Sequence, residues 1–196
     1  PISTERTIPM RIKSSKEKRI LAIKNSVRWF LYLVITLLCF IIMNSGTKLH
    51  PILLIPVAIC MSTQSDELQA AFIGAFCGFL IDIACGKLFG YNAVILAIFC
   101  TAISLLYKYL LRQRFINTFL VIAAVSFLQG FLDFKFYYDI WGYSNVGIIF
   151  RKYTIPVCFM TLASSIVIYP LFKLINHLLM PKQHLSIEEA IKNYEE

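Results

Sequence analysis

The chain has 196 residues, of which 58% are hydrophobic and 15% charged, with a mean hydropathy of +0.70 and a formal net charge of +8. A solvated surface does not tolerate that balance, so a water-soluble domain is excluded and an integral membrane protein is expected. The six cysteines, at 39, 60, 77, 85, 100 and 158, lie in or beside apolar runs. They form no CxxC pair and have no histidine or acid at ligand spacing, so they read as apolar packing residues, and neither a metal nor a cofactor is expected.

In chain order, the first element is a basic lead over residues 1–26. Up to Arg28 it carries eight Lys or Arg against Glu5 and Glu17. Such a cluster next to a span attracts anionic lipid, at about 1 kcal/mol per residue near the surface. Nucleic acid is a poor match, because the lead has little aromatic interleaving and runs straight into a span. A transmembrane helix needs about 20 mostly apolar residues. The runs 27–43, 68–84, 88–107, 115–132 and 153–175 qualify. A cleaved signal peptide is disfavoured for the first, since its basic lead is long and "MNSGTKL" has no Ala-x-Ala site.

Residues 50–61, "HPILLIPVAICM", are shorter. Pro51 suits a first helical turn, whereas Pro56 should bend the helix. At about 18 Å of helical rise this segment either crosses or re-enters. Charge placement arbitrates, because loops rich in Lys and Arg stay cytoplasmic. With six spans, fourteen basic residues fall inside and five outside (Lys48, Lys87, Lys135, Arg151 and Lys152). With five spans the split is twelve to seven. The expected fold is therefore an all-α, polytopic membrane bundle of six transmembrane helices, the second short, with both termini inside. Its domains are the basic segment 1–26, a membrane domain 27–180 and a cytoplasmic tail 181–196. In the tail, "LSIEEAIKNYEE" has the pattern of a short amphipathic helix capped by Ser186 with Glu189 three residues on.

The stretch "GAFCGFLIDIACGKLFGYNA" (74–93) carries the informative residues. Residues four apart share a helix face, so Ala70, Gly74, Gly78 and Asp82 form one stripe. Small residues let membrane helices approach closely. Matching rows follow: Ala93, Ala97 and Thr101 in one span, and Ala123, Ser126 and Gly130 in another. Asp82 is costly in a bilayer unless it faces protein or water. At the carboxyl end of its own helix the macrodipole gives it nothing. It therefore requires donors: the backbone N–H groups of the turn 85–90, the side chain of Lys87 or Asn92, or another protein. Gly86 is placed to end the helix in a left-handed conformation, and Gly90 to permit the tight return. Either Asp82 fixes this hairpin or it meets a partner.

These residues resemble the MreD family of bacterial rod-shape-determining proteins. The glycine-spaced span ending in an acid is matched by Gly74, Gly78 and Asp82, and the turn by Gly86, Gly90 and Asn92. "HPILLIPVAICM" is similar to the family's short Pro-led second span, and "RKYTIPVCFMTLASSIVIYPLFKLINHLL" to its closing helix. The resemblance implies a non-enzymatic scaffold of the cell-elongation (rod) complex, in the bacterial cytoplasmic membrane. It further implies association with an MreC-like bitopic protein and, indirectly, with the MreB filament, RodA and a class B penicillin-binding protein that makes peptidoglycan. The aromatic segment 133–152 is longer in aromatics than the family pattern. Phe134, Phe136, Tyr137, Tyr138, Trp141 and Tyr143 read as an interfacial belt or as a docking surface for an extracytoplasmic partner.

Two other function classes compete. The family's fold is similar to the substrate-binding S components of energy-coupling-factor vitamin transporters, so small-molecule uptake is the main alternative. The first span, "WFLYLVITLLCFIIM", lacks the Ala-x-x-x-Ala face those subunits present. Polar groups for a vitamin pocket are sparse, the main intramembrane candidates in the chain being Asn92, Thr101, Ser104, Ser126 and Gln129. An enzyme would need several acids, a histidine or an activated nucleophile at one depth. Asp82 has no such company in the sequence pattern.

Overall fold

The apolar runs become helices, and the computed structural model describes residues 15–45, 51–110, 114–139, 147 and 150–179 of the chain. The predicted tail helix, Trp141 and Tyr143 lie outside the described residues. The helices are α1 (Ser15–Asn44), α2 (Leu54–Ser62), α3 (Glu67–Cys85), α4 (Tyr91–Tyr109), α5 (Phe115–Phe134) and α6 (Ile155–Leu179). A π-helical turn, Lys135–Asp139, extends α5, and another, Phe150–Thr154, leads into α6. Among the described residues, five helices are long and apolar enough to cross a membrane. The protein is an all-α, multi-pass membrane bundle with α2 as its short member.

Two element boundaries differ from the sequence expectation. The first span was expected to begin at residue 27, but residues 15–26 are continuous helix with it. No Gly or Pro interrupts "SKEKRILAIKNS", so an established helix propagates through it at little cost. In the short segment the helix begins at Leu54 rather than near residue 50. Pro56 thereby falls in the first turn, where its missing N–H breaks no helical bond, and it does not bend the helix.

The length of α2 follows from where it lies. All nine of its residues are buried, among them Leu54, Val57, Ala58 and Ile59 at 0% exposure. A helix of about 14 Å cannot span hydrocarbon. Wrapped by other helices, α2 does not have to, provided its ends find polar partners. Ile52 N–H donates to Thr161 Oγ1 at 3.1 Å, while the hydroxyls of Ser62, Thr63 and Ser65 donate to the carbonyls of Ala58, Cys60 and Met61.

Long-range contacts fix the direction of each helix. Near one end of the bundle, Tyr32 of α1 donates to Asn176 of α6, Ser104 of α4 to Ser65 O at 2.6 Å, and Tyr107 of α4 to Thr118 of α5 at 3.1 Å. At the other end, Lys87 beyond α3 pairs with Asp133 of α5. The helices therefore alternate, α2 included, and the start of α1 lies at the same end as the finish of α6. We refer to these as the terminal end and the turn end. Along α1, Tyr32, Thr36, Cys39 and Met43 face inward at steps of four, three and four, whereas Phe30, Leu33, Leu37 and Ile41 are exposed, as expected of a helix with one side to lipid.

Candidate functional site

The two helices flanking the turn are joined along a seam that leaves no room for side chains. A Cβ on Gly74 would stand 2.5 Å from Leu96 O and 2.8 Å from Ala97 Cα, and one on Gly78 would collide with the Ala93 backbone. The expected stripe of Ala70, Gly74 and Gly78 thus meets the row of Ala93 and Ala97. The opposing atoms are backbone, which cannot rotate aside. The third row behaves differently: Gly130 faces Cys158 Sγ of α6 and Thr154 Cγ2 of the turn before it, at 3.2 Å for an added Cβ.

The turn ends α3 by a Schellman arrangement. Gly86 has φ +60°, Lys87 N–H donates to Asp82 O at 3.0 Å, and Gly86 N–H to Ile83 O at 3.4 Å. An L side chain is strained at that φ, so glycine is the natural residue there. Gly90, at φ +96°, then turns the chain into α4. Phe79 and Phe89 pack across the turn with ring centroids 4.9 Å apart.

Asp82, only 1% exposed, points into this turn. Its Oδ2 accepts from Gly90 N–H at 2.8 Å, and its Oδ1 from Asn92 N–H at 3.2 Å and Asn92 Nδ2 at 2.8 Å. The carboxylate so caps the first turn of α4. The positive end of the neighbouring helix supplies the dipole interaction that the end of α3 denies it. Of the donors expected from the sequence, the backbone and Asn92 serve; Lys87 does not. Asn92 in turn accepts from Gln129 Nε2 at 2.9 Å, and both amides are fully buried. A continuous line, Asp82 to Asn92 to Gln129, therefore ties the hairpin to α5.

Lys87 turns to Asp133 instead. Burial opposes its charge, but the Asp133 carboxylate beside it more than compensates and raises the Lys87 pKa above the ordinary lysine value. Leu88 N–H donates to Tyr137 Oη at 2.9 Å, and Tyr91 stacks on Phe136 at 4.5 Å. Of the expected docking aromatics, Phe136 and Tyr137 are half-buried against the turn and Tyr138 is exposed. The polar residues suggested for a pocket are dispersed: Asn92 and Gln129 belong to the buried line, Ser104 binds Ser65 O, and Thr101 donates to its own helix at Ala97 O.

Ser126 lines a cleft of about 710 Å³ at the turn end, between α5 and α6, together with Asp133, Lys87 and Ile52 and Ile55 of the α2 region. No group of three or more His, Cys, Asp or Glu side chains that could hold a metal occurs among the described residues.

The family model described as rod shape-determining protein MreD matches residues 20–178. No curated protein and no solved structure matches the chain.

Proposed function

Because the chain belongs to the MreD family of rod shape-determining proteins, we propose that it is a non-enzymatic scaffold of the bacterial elongation machinery. In this reading it holds an MreC-like bitopic protein in the cytoplasmic membrane, and through it the MreB filament, RodA and a class B penicillin-binding protein. The observation that carries the proposal is the family match, which spans 20–178 and so includes all of α2 to α5 and nearly all of α6.

The side-chain chemistry supports it. Asp82 spends its lone pairs on N–H groups of its own hairpin. That is structural work, and it leaves partner contact to other surfaces. We place the terminal end in the cytoplasm, since it carries Arg19, Lys24, Arg28, Lys108, Arg114 and Lys173 against Lys87, Lys135, Arg151 and Lys152 at the turn end. Arg19, Lys24 and Arg28 then lie toward the anionic inner leaflet.

Affinity purification of the full chain from mild detergent tests the proposal. A bitopic MreC-like protein should be retained by the wild type and also by Asp82→Asn provided the variant still folds. Retention of an ATPase-linked coupling subunit in its place would overturn the scaffold reading in favour of uptake.

A further inference from the structure

The cleft between α5 and α6 contains polar atoms that the fold does not use. Asp133 accepts the Lys87 ammonium through Oδ2, but its Oδ1 is buried and has no partner among the described residues. Ser126 is 3% exposed, and its Oγ likewise has none. Both residues line the cleft. Leaving such atoms unpaired costs about 1–3 kcal/mol each, more for a charged group. Such a group in a natural fold calls for an explanation, and a ligand held in the cleft supplies one.

The ion pair restricts which ligand can do so. A bare cation on Asp133 Oδ1 would meet the Lys87 ammonium already held by the same carboxylate. A bare anion on Lys87 would meet Asp133. A zwitterion satisfies both, its ammonium on Asp133 Oδ1 and its anionic group on the N–H donors of Lys87 not used by Asp133. Ser126 adds a length. It precedes Asp133 by seven residues on α5, which places it about 10 Å nearer the middle of the bundle. A ligand that fills the cleft carries its charges near the turn and an acceptor for the Ser126 hydroxyl about that far below. Its body lies on Ile52, Ile55 and Val157, which line the same cleft.

We propose that this cleft binds a phospholipid with a primary-amine headgroup, its ammonium and phosphate on Asp133 and Lys87 and its ester carbonyl within reach of Ser126. The lipid source is preferred over a soluble zwitterion because the charged pair lies toward the bundle end while the other unpaired group, Ser126, lies deeper beside apolar lining residues, in the order in which a glycerolipid presents headgroup and ester.

Native mass spectrometry of the full chain released from nanodiscs containing equal phosphatidylethanolamine, phosphatidylcholine and phosphatidylglycerol tests this. The wild type should retain phosphatidylethanolamine about tenfold over phosphatidylcholine, whose quaternary ammonium has no N–H to give. Lys87→Met with Asp133→Leu removes both charges together, which the fold tolerates better than either alone. The double variant should lose the preference while unfolding near the wild-type temperature. Ser126→Ala breaks no hydrogen bond made by the Ser126 hydroxyl within the described chain, and should reduce retention with no change in unfolding. Equal retention of the two lipids by the wild type, full preference in the double variant, or undiminished retention in Ser126→Ala would overturn the proposal. Retention of soluble phosphoethanolamine as strong as that of phosphatidylethanolamine at equal concentration would overturn the lipid source.

Discussion

Replacing Asp82 gives the sharpest quantitative expectation. In Asp82→Ala, the Asn92 N–H and Nδ2 lose their acceptor in a fully buried site, and the Gly90 N–H loses its acceptor in a partly buried one. Stranding a buried donor costs about 1–3 kcal/mol, so two buried donors and a discounted third cost about 4 kcal/mol. Asp82→Asn keeps an acceptor for Asn92 but turns an NH2 toward Gly90 N–H, at a cost of about 2 kcal/mol. For a chain of this size each kcal/mol moves the unfolding midpoint by about 2–4 °C. The expected losses are therefore about 8–16 °C for the alanine variant and about half that for the asparagine variant. The protein carries its own reporter, since Cys77 and Cys100 are buried in α3 and α4 while Cys85 is exposed. A thiol-reactive fluorescent dye reads a baseline from exposed Cys85 and half-buried Cys158, and a transition from Cys77 and Cys100 together with buried Cys39 and Cys60 as the bundle opens, with the labelled sites assigned by mass spectrometry. An alanine variant that exposes Cys77 and Cys100 at the wild-type temperature would refute the clamp.

The glycines should rank by what an added Cβ meets. Gly78→Ala drives a methyl into the Ala93 backbone and should lower the same dye midpoint most, Gly86→Ala pays only about 1–2 kcal/mol of left-handed strain, and Gly130→Ala, facing side chains that can shift, should cost least. Lys87→Met leaves Asp133 buried and unpaired and should destabilise by about 3–5 kcal/mol, with Lys87→Met/Asp133→Leu recovering most of it in thermal unfolding. Because the folded Lys87 pKa is raised, the contribution of Lys87 ionisation is fully present below the unfolded lysine value of about 10.4 and is lost as pH rises through the folded value; a midpoint that already falls between pH 7 and pH 9 through this pair would contradict the assignment. Asn92→Ala and Gln129→Ala should be non-additive, with a coupling of about 0.5–3 kcal/mol in a double-mutant cycle, whereas additive losses would mean that the 2.9 Å contact transmits nothing between the hairpin and α5.

The sequence by itself determined what depends on near neighbours along the chain. Hydropathy placed α3, α4, α5 and α6 to within a few residues, because crossing hydrocarbon requires a run of apolar side chains whatever surrounds it. Steps of four placed Gly74, Gly78 and Asp82 on one face, and the short interval to Asn92 put the donors for Asp82 within a narrow set. The left-handed residue at Gly86 was legible for the same reason, since a helix end carries its own chemistry.

Tertiary structure decided everything that depends on which distant helices meet. Lys87 was a reasonable donor to Asp82, only five residues away, yet it pairs with Asp133 from a helix 46 residues further on. Gln129 read as one more polar pocket residue and proved to be the link between the hairpin and α5. The stripe containing Gly130 has the same spacing as that of Gly74 and Gly78, but it faces side chains of α6 and the turn before it rather than a backbone seam. In α2, residue pattern gave a doubtful crossing, whereas burial on all sides made a nine-residue helix sufficient. Local periodicity tells which face of a helix is special; only the packed bundle supplies the atom opposite it, and in a membrane interior that atom decides whether a carboxylate or an amide is paid for.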